Sequence, residues 1–156
     1  MGKKKSDADT TIASNRAAFH NYFILESIEA GIELRGTEIK SLRAGGANLR
    51  EGYVRIGNGE AFLVNVHISP YERGYSSNHE TKRERKLLLH RSEIIRLGIT
   101  IKQKSLALVP LRMYWKGNRV KVEIGLGKGK RQYDKREAIA ARDARREMDR
   151  ARKTPV

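Results

Sequence analysis

The chain has 156 residues, with 33 Lys and Arg against 18 Asp and Glu, so its formal net charge is +15 at pH 7. It contains no cysteine, which excludes disulfides and cysteine-ligated metal centres, and no run of about 18 apolar residues, the length that a membrane-spanning helix needs. The charge predicts a polyanionic partner, with nucleic acid the first candidate, because each phosphate that is neutralised releases condensed counterions.

The N-terminal part of the sequence predicts a polar arm followed by a helix. Residues 1–9 are charged and carry no periodicity, which predicts a disordered basic arm. The basic start leads into acidic residues and not into an apolar segment, which argues against a signal peptide. The spacing of apolar residues over 11–22 then favours a short helix, with Ser14 or Asn15 as its N-cap.

Strands and a short helix are predicted along the middle of the chain. Apolar residues at 22–25 and alternation over 29–34 predict strand structure, and a short helix opens at Gly36 and stops at Gly45. Two hairpins are predicted around glycine-containing turns, the first from strands 53–56 and 61–67 and the second from strands 105–115 and 119–126.

The segment between the two hairpins predicts a long loop and then a helix. Residues 69–85 are polar and aperiodic, and a loop of this length inside a compact domain usually carries function or disorder. A short helix is predicted from Ser92, ended by Gly98. About six short strands with two or three short helices indicate a mainly β fold, a small antiparallel barrel decorated by helices.

The C-terminal segment is strongly basic and has little to bury. Residues 127–153 contain eleven Lys or Arg and five Asp or Glu. High helix propensity begins at Asp134, with Glu137 three residues later as in a capping box, but the apolar stripe of this helix is thin. Two interpretations stay open: a solvated, partly helical tail, or a segment that becomes ordered on RNA, whose phosphates and grooves supply the missing contacts.

Four blocks of the sequence carry a resemblance to a known family. They are EAGIELRGTEIKSLRAGGANLREGY (29–53), NVHISPY (65–71), RKLLLHRSEI (85–94) and LGKGKRQYDKR (126–136). In this order, within a match from Ile12 to Arg136, they resemble SmpB, the family of SsrA (tmRNA)-binding proteins. The resemblance implies an oligonucleotide-binding-type barrel over 10–126 and a basic tail over 127–156 that becomes helical on the ribosome.

The resemblance also implies a function in trans-translation. Members of this family bind the tRNA-like domain of tmRNA and deliver it to the A site of stalled ribosomes. Their tail occupies the decoding centre and the empty mRNA channel in place of a codon–anticodon pair. The chain is then expected to be a cytoplasmic monomer whose partners are tmRNA and the ribosome, especially small-subunit rRNA. No catalytic step, cofactor, metal, small-molecule substrate or membrane is implied.

The resemblance assigns tmRNA-binding roles to five residues of the barrel, Glu29, Leu88, Lys121, Asn15 and His20. Lys121 suits a phosphate contact, and Leu88 shapes the surface. Glu29 suits RNA if it accepts from a base amino group or a 2′-hydroxyl, or orients a neighbouring Arg. The residues alone favour other roles: Glu29 as an edge charge that prevents mispairing of a strand, and Asn15 and His20 as helix-cap or surface residues.

A second set of site residues falls in the tail, where the family has a basic stretch followed by Asp-Lys-Arg. The positions that match are Lys128, Lys130, Tyr133, Asp134, Lys135 and Arg136. Many members of the family carry His where this chain has Tyr133. Either ring can stack on a base, at about 1–3 kcal/mol per stacked base.

Two alternatives compete with this interpretation. A hydrolase or metalloenzyme is disfavoured, because the four His residues lack metal-ligand spacing and no nucleophile or phosphate-binding motif occurs. A structural ribosomal protein, which binds rRNA constitutively through a basic extension, has the same composition. Only the family blocks separate it from a rescue factor.

Overall fold

The structure, a computed structural model, describes residues 10–73 and 78–153, so the arm predicted over 1–9 lies outside the described residues. The described chain contains nine strands: β1 (Thr11–Ser14), β2 (Tyr22–Ile32), β3 (Ala47–Asn48), β4 (Tyr53–Gly57), β5 (Glu60–Val64), β6 (His67–Ile68), β7 (Arg85–Leu88), β8 (Ala107–Lys116) and β9 (Arg119–Gly129). Its helices are α1 (Arg16–Asn21), α2 (Gly36–Arg43), α3 (Arg91–Lys104) and α4 (Gln132–Lys153).

Seven of the strands form one antiparallel sheet, in the order β1-β8-β9-β2-β7-β5-β4, and β3 pairs with β6. Strand β4 also packs against β8, so the sheet curves back on itself into a barrel. Register shifts in β2 and β8 mark bulges, which increase local bend and twist. The predicted mainly β barrel with helices around it is confirmed.

The core fills the inside of this barrel because side chains alternate between the two faces of each strand. In β9, Val122, Ile124 and Leu126 are buried, whereas Lys121 and Glu123, on the other face of the strand, are only partly covered. The buried side chains of β9 pack with those of β5, β7, β8 and α3 in one cluster. The polar alternate positions of the same strands therefore form the outer face of the barrel.

Both predicted hairpins form, and their turns have the backbone angles that such turns need. The strand predicted over 61–67, however, ends at Val64, because Asn65 has a left-handed φ of 65°. Asn58 and Gly59 join β4 to β5 with φ angles of 53° and 74°, as a two-residue turn with two left-handed positions requires. Gly117, with φ of 62°, opens the turn between β8 and β9. This second turn sets a register in which Tyr114 lies opposite Lys121.

The helix predicted over 11–22 is wrong in its first part. Residues Thr11–Ser14 form β1 and pair with β8, and α1 begins only at Arg16. The N-cap is Asn15, one of the two predicted candidates, and its side-chain oxygen accepts from the Ala18 amide. Pairing with an already formed strand outweighs the weak helical periodicity of the short segment.

Two further features between the hairpins differ from the prediction. Helix α3 has His90 as its N-cap, continues past Gly98 and ends at Lys104. A glycine inside a helix costs only about 1 kcal/mol relative to alanine, and buried Ile94 and Leu97 outweigh it. Strand β7 was not predicted, because its first residue, Arg85, breaks the apolar pattern of a buried strand although its side chain is fully buried.

The C-terminal tail forms a helix that projects from the end of β9. Strand β9 continues to Gly129, three residues beyond the predicted end of the barrel, because its last residues pair with 22–24 of β2. Helix α4 begins at Gln132, two residues before the predicted start, and Asp134 accepts from the Arg131 amide at 3.1 Å. Most of its described side chains are exposed, including Ile139 and Met148.

Candidate nucleic-acid interface

A row of side chains crosses four neighbouring strands on the outer face of the barrel. The register places Leu88 of β7 opposite Gly31 of β2, Gly31 opposite Lys121 of β9, and Lys121 opposite Tyr114 of β8. Glu29 lies two residues before Gly31, on the same face of β2. The structure therefore brings Glu29, Leu88 and Lys121, three of the predicted site residues, onto one surface. We call these five positions the outer row: Glu29, Gly31, Leu88, Tyr114 and Lys121.

Glu29 is the centre of a hydrogen-bond network in this row. Its carboxylate accepts from the Tyr114 hydroxyl and, at 3.0 Å, from Lys116 Nζ. The bond from Tyr114 is the main reason that the pKa of Glu29 lies below its ordinary value, and the charges of Lys116 and Lys121 lower it further. The network holds an ionised carboxylate whose remaining lone pairs can accept from an RNA amino group or 2′-hydroxyl.

The interpretation of Glu29 as an edge charge is wrong. Strand β2 lies inside the sheet, between β9 and β7, so it has no free edge to protect. Its neighbour Tyr114 has a raised pKa, first because it is buried and then because its hydroxyl bonds to Glu29. The Arg112 guanidinium lies 4.2 Å from the centre of the Tyr114 ring and 3.5 Å from Glu123, which fixes the ring from its other side.

Lys121 and Leu88 flank Gly31 and supply different chemistry. Lys121 is half-exposed and forms no salt bridge with any described residue, so its ammonium is available to a phosphate. Leu88 is 50% exposed. The position of its side chain depends on glycine at residue 31, since a Cβ there would come within 3.1 Å of the Leu88 Cβ. Beside them lies a cleft of ≈ 300 Å³, whose lining includes Leu34 and Trp115.

Asn15 and His20 lie on α1 and form no hydrogen bond with the outer row. Asn15 is buried and donates to the carbonyls of Leu49 at 3.2 Å and Pro110 at 2.9 Å. These two bonds and the cap of α1 engage the Asn15 side chain, which therefore has the structural role that the helix-cap alternative predicted. His20 is half-buried in the last turn of α1.

The predicted tail residues begin where β9 ends. Lys128 is exposed opposite Phe23, and Lys130 Nζ donates to the Phe19 carbonyl at 3.1 Å. Asp134 caps the first turn of α4, while Lys135 is half-exposed and Arg136 exposed within it. The side chain of Tyr133 lies outside the described residues.

Comparison with known proteins places the chain in a family. A family model described as SmpB protein matches residues 12–154. The chain belongs to the SmpB family. The SsrA-binding protein of Desulforudis audaxviator (strain MP104C) is 57% identical over 145 residues, which cover 93% of this chain and 95% of the relative. That of Carboxydothermus hydrogenoformans is 59% identical over 140 residues, 90% of this chain and 94% of the relative.

The chain is also similar to a solved structure. A chain from a structure described as "tmRNA-SmpB: a journey to the center of the bacterial ribosome" is 47% identical, with a TM-score of 0.66, and the match covers 81% of this chain and 93% of that one. The resemblance to SmpB that the sequence blocks indicated is thus confirmed.

Sequence reasoning missed several residues that shape the SmpB barrel surface. Tyr114, Lys116 and Arg112, which surround Glu29, were not singled out. The length of the second hairpin turn could have predicted their positions, because a two-residue turn places Tyr114 opposite Lys121 and Lys116 opposite Arg119. The contact of this hairpin with Glu29 depends on the pairing of β9 with β2, for which no short-range signal exists.

A buried ionic cluster was also missed. Glu38 of α2 accepts from Arg83 at 2.5 Å and from Arg85, and both Glu38 and Arg85 are fully buried. Arg85 donates in addition to the carbonyls of Val66 and Thr81, at 2.8 and 3.1 Å. The cluster ties the end of the long loop and β7 to α2.

The described residues offer neither a metal centre nor a membrane segment. No group of three or more His, Asp or Glu residues among them could hold a metal ion. No helix in the same residues is both long and apolar enough to cross a membrane.

Proposed function

We propose that the chain binds the tRNA-like domain of tmRNA through the outer row and delivers it to the A site of stalled ribosomes. The observation that supports this most is the convergence of Glu29, Leu88 and Lys121 on one surface, although they lie far apart in the sequence. An ionised acceptor, an apolar side chain and an ammonium that forms no salt bridge with a described residue lie on the same surface there. This combination suits the minor-groove edge and the phosphates of a folded RNA.

Each member of the row has a distinct role in this proposal. Lys121 neutralises a phosphate, Glu29 accepts from a base amino group or a 2′-hydroxyl, and Leu88 provides an apolar contact to sugar or base. Asn15 and His20 support the binding surface indirectly, because the buried hydrogen bonds of Asn15 position α1, which carries His20. The protein acts by binding alone, as a cytoplasmic monomer without a catalytic step or a cofactor.

The tail is proposed to act in the ribosome itself. Its eleven basic side chains outnumber its five acidic ones, and α4 exposes nearly all of its described length. A cationic helix whose described side chains are mostly exposed suits a channel lined by rRNA phosphates. Lys128, Lys130, Tyr133, Asp134, Lys135 and Arg136 would then occupy the decoding centre, with the rest of α4 in the empty mRNA channel.

Sequencing of the RNA that co-purifies with the full-length chain tests the first half of this function. A transcript with a tRNA-like domain should be enriched over total rRNA. A chain that instead stays on ribosomal subunits through high-salt washes, at about one copy each, would be a structural ribosomal protein. Recovery of rRNA alone would contradict the proposal.

Peptide tagging on ribosomes stalled without a stop codon tests the second half. A chain that ends after Arg131 should keep its barrel and its tmRNA binding, since β9 and the bond from the Lys130 amide to Asn21 are retained. It should lose tagging. Removal of residues 154–156 alone is the matched control and should leave tagging intact. Normal tagging by the shorter chain would contradict the role of the tail.

A further inference from the structure

Two phenylalanine side chains are exposed where the barrel meets the tail. Phe19 of α1 is 55% exposed and Phe23 of β2 is 44% exposed. Lys130 links the two residues, because its ammonium donates to the backbone carbonyl of Phe19 and lies 4.9 Å from the centre of the Phe23 ring. We call this pair of rings with Lys130 the aromatic platform.

The platform is preorganised by contacts of its own. The Lys130 amide donates to the Asn21 carbonyl at 2.8 Å, so Lys130 is held to the end of α1 through both its backbone and its side chain. The Lys130 ammonium is thus held beside the Phe23 ring. A cation that is already held in place loses little conformational entropy when a ligand binds.

Positive charge surrounds the platform on the side of β9. Lys128 lies directly opposite Phe23 in the β2–β9 pairing, and neither its ammonium nor the Arg131 guanidinium forms a salt bridge with a described residue. Phe23, Lys128 and Arg131 line a common cleft of ≈ 520 Å³, together with Gly129 and Asp134. Such a volume lies within the range of about 300–1,000 Å³ that small ligands occupy.

An exposed aromatic face beside several cations has a defined ligand chemistry. Nucleobases stack on such faces, and the phosphates of the same nucleotides pair with the cations. We propose that the aromatic platform binds an unpaired nucleotide of small-subunit rRNA, with the base on Phe19 and Phe23 and the phosphate at Lys128 and Arg131.

The position of the platform favours ribosomal RNA over tmRNA. Phe23 and Glu29 lie on the same strand, six residues apart, which corresponds to about 20 Å along β2. The outer row, where tmRNA is proposed to bind, is therefore at one end of the β2–β9 pair and the platform at the other, next to α4. This choice rests on the proposed function, which places α4 and its root in the decoding centre.

Paired binding measurements test the platform. The double variant Phe19→Leu/Phe23→Leu keeps apolar side chains of similar size but removes both ring faces. The matched control is Leu25→Ala, which removes an exposed apolar side chain of the same strand without touching an aromatic ring. Each full-length chain is titrated against purified small ribosomal subunits without mRNA and, separately, against a transcript of the tRNA-like domain of tmRNA.

We expect the double variant to bind small subunits at least roughly tenfold more weakly, and the transcript with unchanged affinity. Leu25→Ala should match the unmodified chain in both titrations. Equal subunit affinity of the double variant and the unmodified chain would overturn the platform, as would a loss confined to the transcript. Failure of the unmodified chain to bind the transcript would instead overturn the proposed function.

A direct readout is available at Phe23 itself. A photo-crosslinking phenylalanine analogue in place of Phe23, irradiated on stalled ribosomes, should form its adduct with small-subunit rRNA. An adduct with tmRNA, or with neither RNA, would overturn the assignment.

Discussion

Glu38 and Glu29 are both carboxylates held by side-chain donors, but one lies inside the molecule and the other on its outer face. Glu38 is fully buried and accepts from Arg83, Arg85 and, at 2.8 Å, the Arg35 amide. Burial raises its pKa, and these three bonds outweigh that effect, so the pKa ends below its ordinary value. Glu29 reaches a lowered pKa mainly through one bond from Tyr114.

The difference in burial distinguishes a structural role from the proposed binding role. The Glu38 carboxylate has no access to solvent, so the bonds that it accepts serve the fold. Glu29 keeps lone pairs that no described donor fills, and Lys121 lies nearby without a salt-bridge partner among the described residues. The same chemistry therefore stabilises the barrel in one place and is available for the proposed binding of RNA in the other.

The largest effect is expected from Glu38→Ala. It leaves Arg85 buried without its counter-charge, and such a loss typically costs about 3–5 kcal/mol of the free energy of unfolding. Urea denaturation followed by circular dichroism measures it, with Glu29→Ala as the surface counterpart, expected to cost about 1 kcal/mol or less. Equal losses in the two variants would show that burial does not distinguish the clusters.

Acid should weaken the fold through Glu38. Because its pKa in the folded state lies below the ordinary 4.5, its stabilising contribution is complete above that pH and is lost as the pH falls toward the folded-state pKa. The free energy of unfolding should thus decrease as the pH falls below 4.5. The Glu38→Gln variant should be less stable at neutral pH, and its free energy of unfolding should change less as the pH falls. An unchanged slope would assign the acid sensitivity to other carboxylates.

A loss of RNA affinity without a loss of stability is expected from Glu29→Gln. The change keeps the shape and removes the charge that strengthens a hydrogen bond to RNA, so binding of the tRNA-like domain should weaken roughly tenfold. Filter binding measures it, and thermal melting of the free protein is the control. Unaltered affinity would show that the charge of Glu29 does not contribute to RNA binding and that its role is structural.

A smaller effect that depends on salt is expected from Lys121→Ala. If Lys121 contacts one phosphate, the slope of log K against log salt should become shallower by about 0.7–0.9. Lys102→Ala, an exposed lysine of α3 outside the outer row, is the control and should keep the original slope. A parallel shift of affinity without a change of slope would argue against a phosphate contact.

The smallest effect is expected from Tyr114→Phe, which removes only a hydroxyl. The pKa of Glu29 should rise toward its ordinary value, because the bond from Tyr114 is the main cause of its depression. An NMR titration of the Glu29 side-chain carboxyl carbon follows this change, and Tyr53→Phe, an exposed tyrosine of β4, serves as control. An unmoved midpoint would show that Lys116 and Lys121 alone hold Glu29 ionised.

Much of the architecture was predictable because it depends on neighbouring residues. The Gly57-Asn58-Gly59 and Gly117-Asn118 turns specify the two hairpins, and Gly36 to Gly45 bound α2 closely. The prediction failed where distant contacts compete with local pattern. Thr11–Ser14 became a strand because β8 was available to pair with it, and α3 continued past Gly98 because its apolar face packs on the barrel.

The candidate site, like the fold, was predictable only in part. The family blocks supplied Glu29, Leu88 and Lys121, but the roles of Asn15 and Arg85 follow from burial, which alternation and charge do not report. Asn15 bonds to carbonyls 34 and 95 residues away, and Arg85 to a carboxylate 47 residues away. Partners at such separations have no signature in a local window of sequence.

The sequence was sufficient for the excess of positive charge, the hairpin turns and the lack of an apolar face on the tail, since each follows from composition or from residues a few positions apart. The three-dimensional fold was needed for the outer row and the aromatic platform. Both depend on β2 pairing with β9 and β7, and on which polar side chains that pairing buries. Burial and cross-strand register are properties of the whole assembled sheet, because their free energy comes from contacts between segments that are remote along the chain.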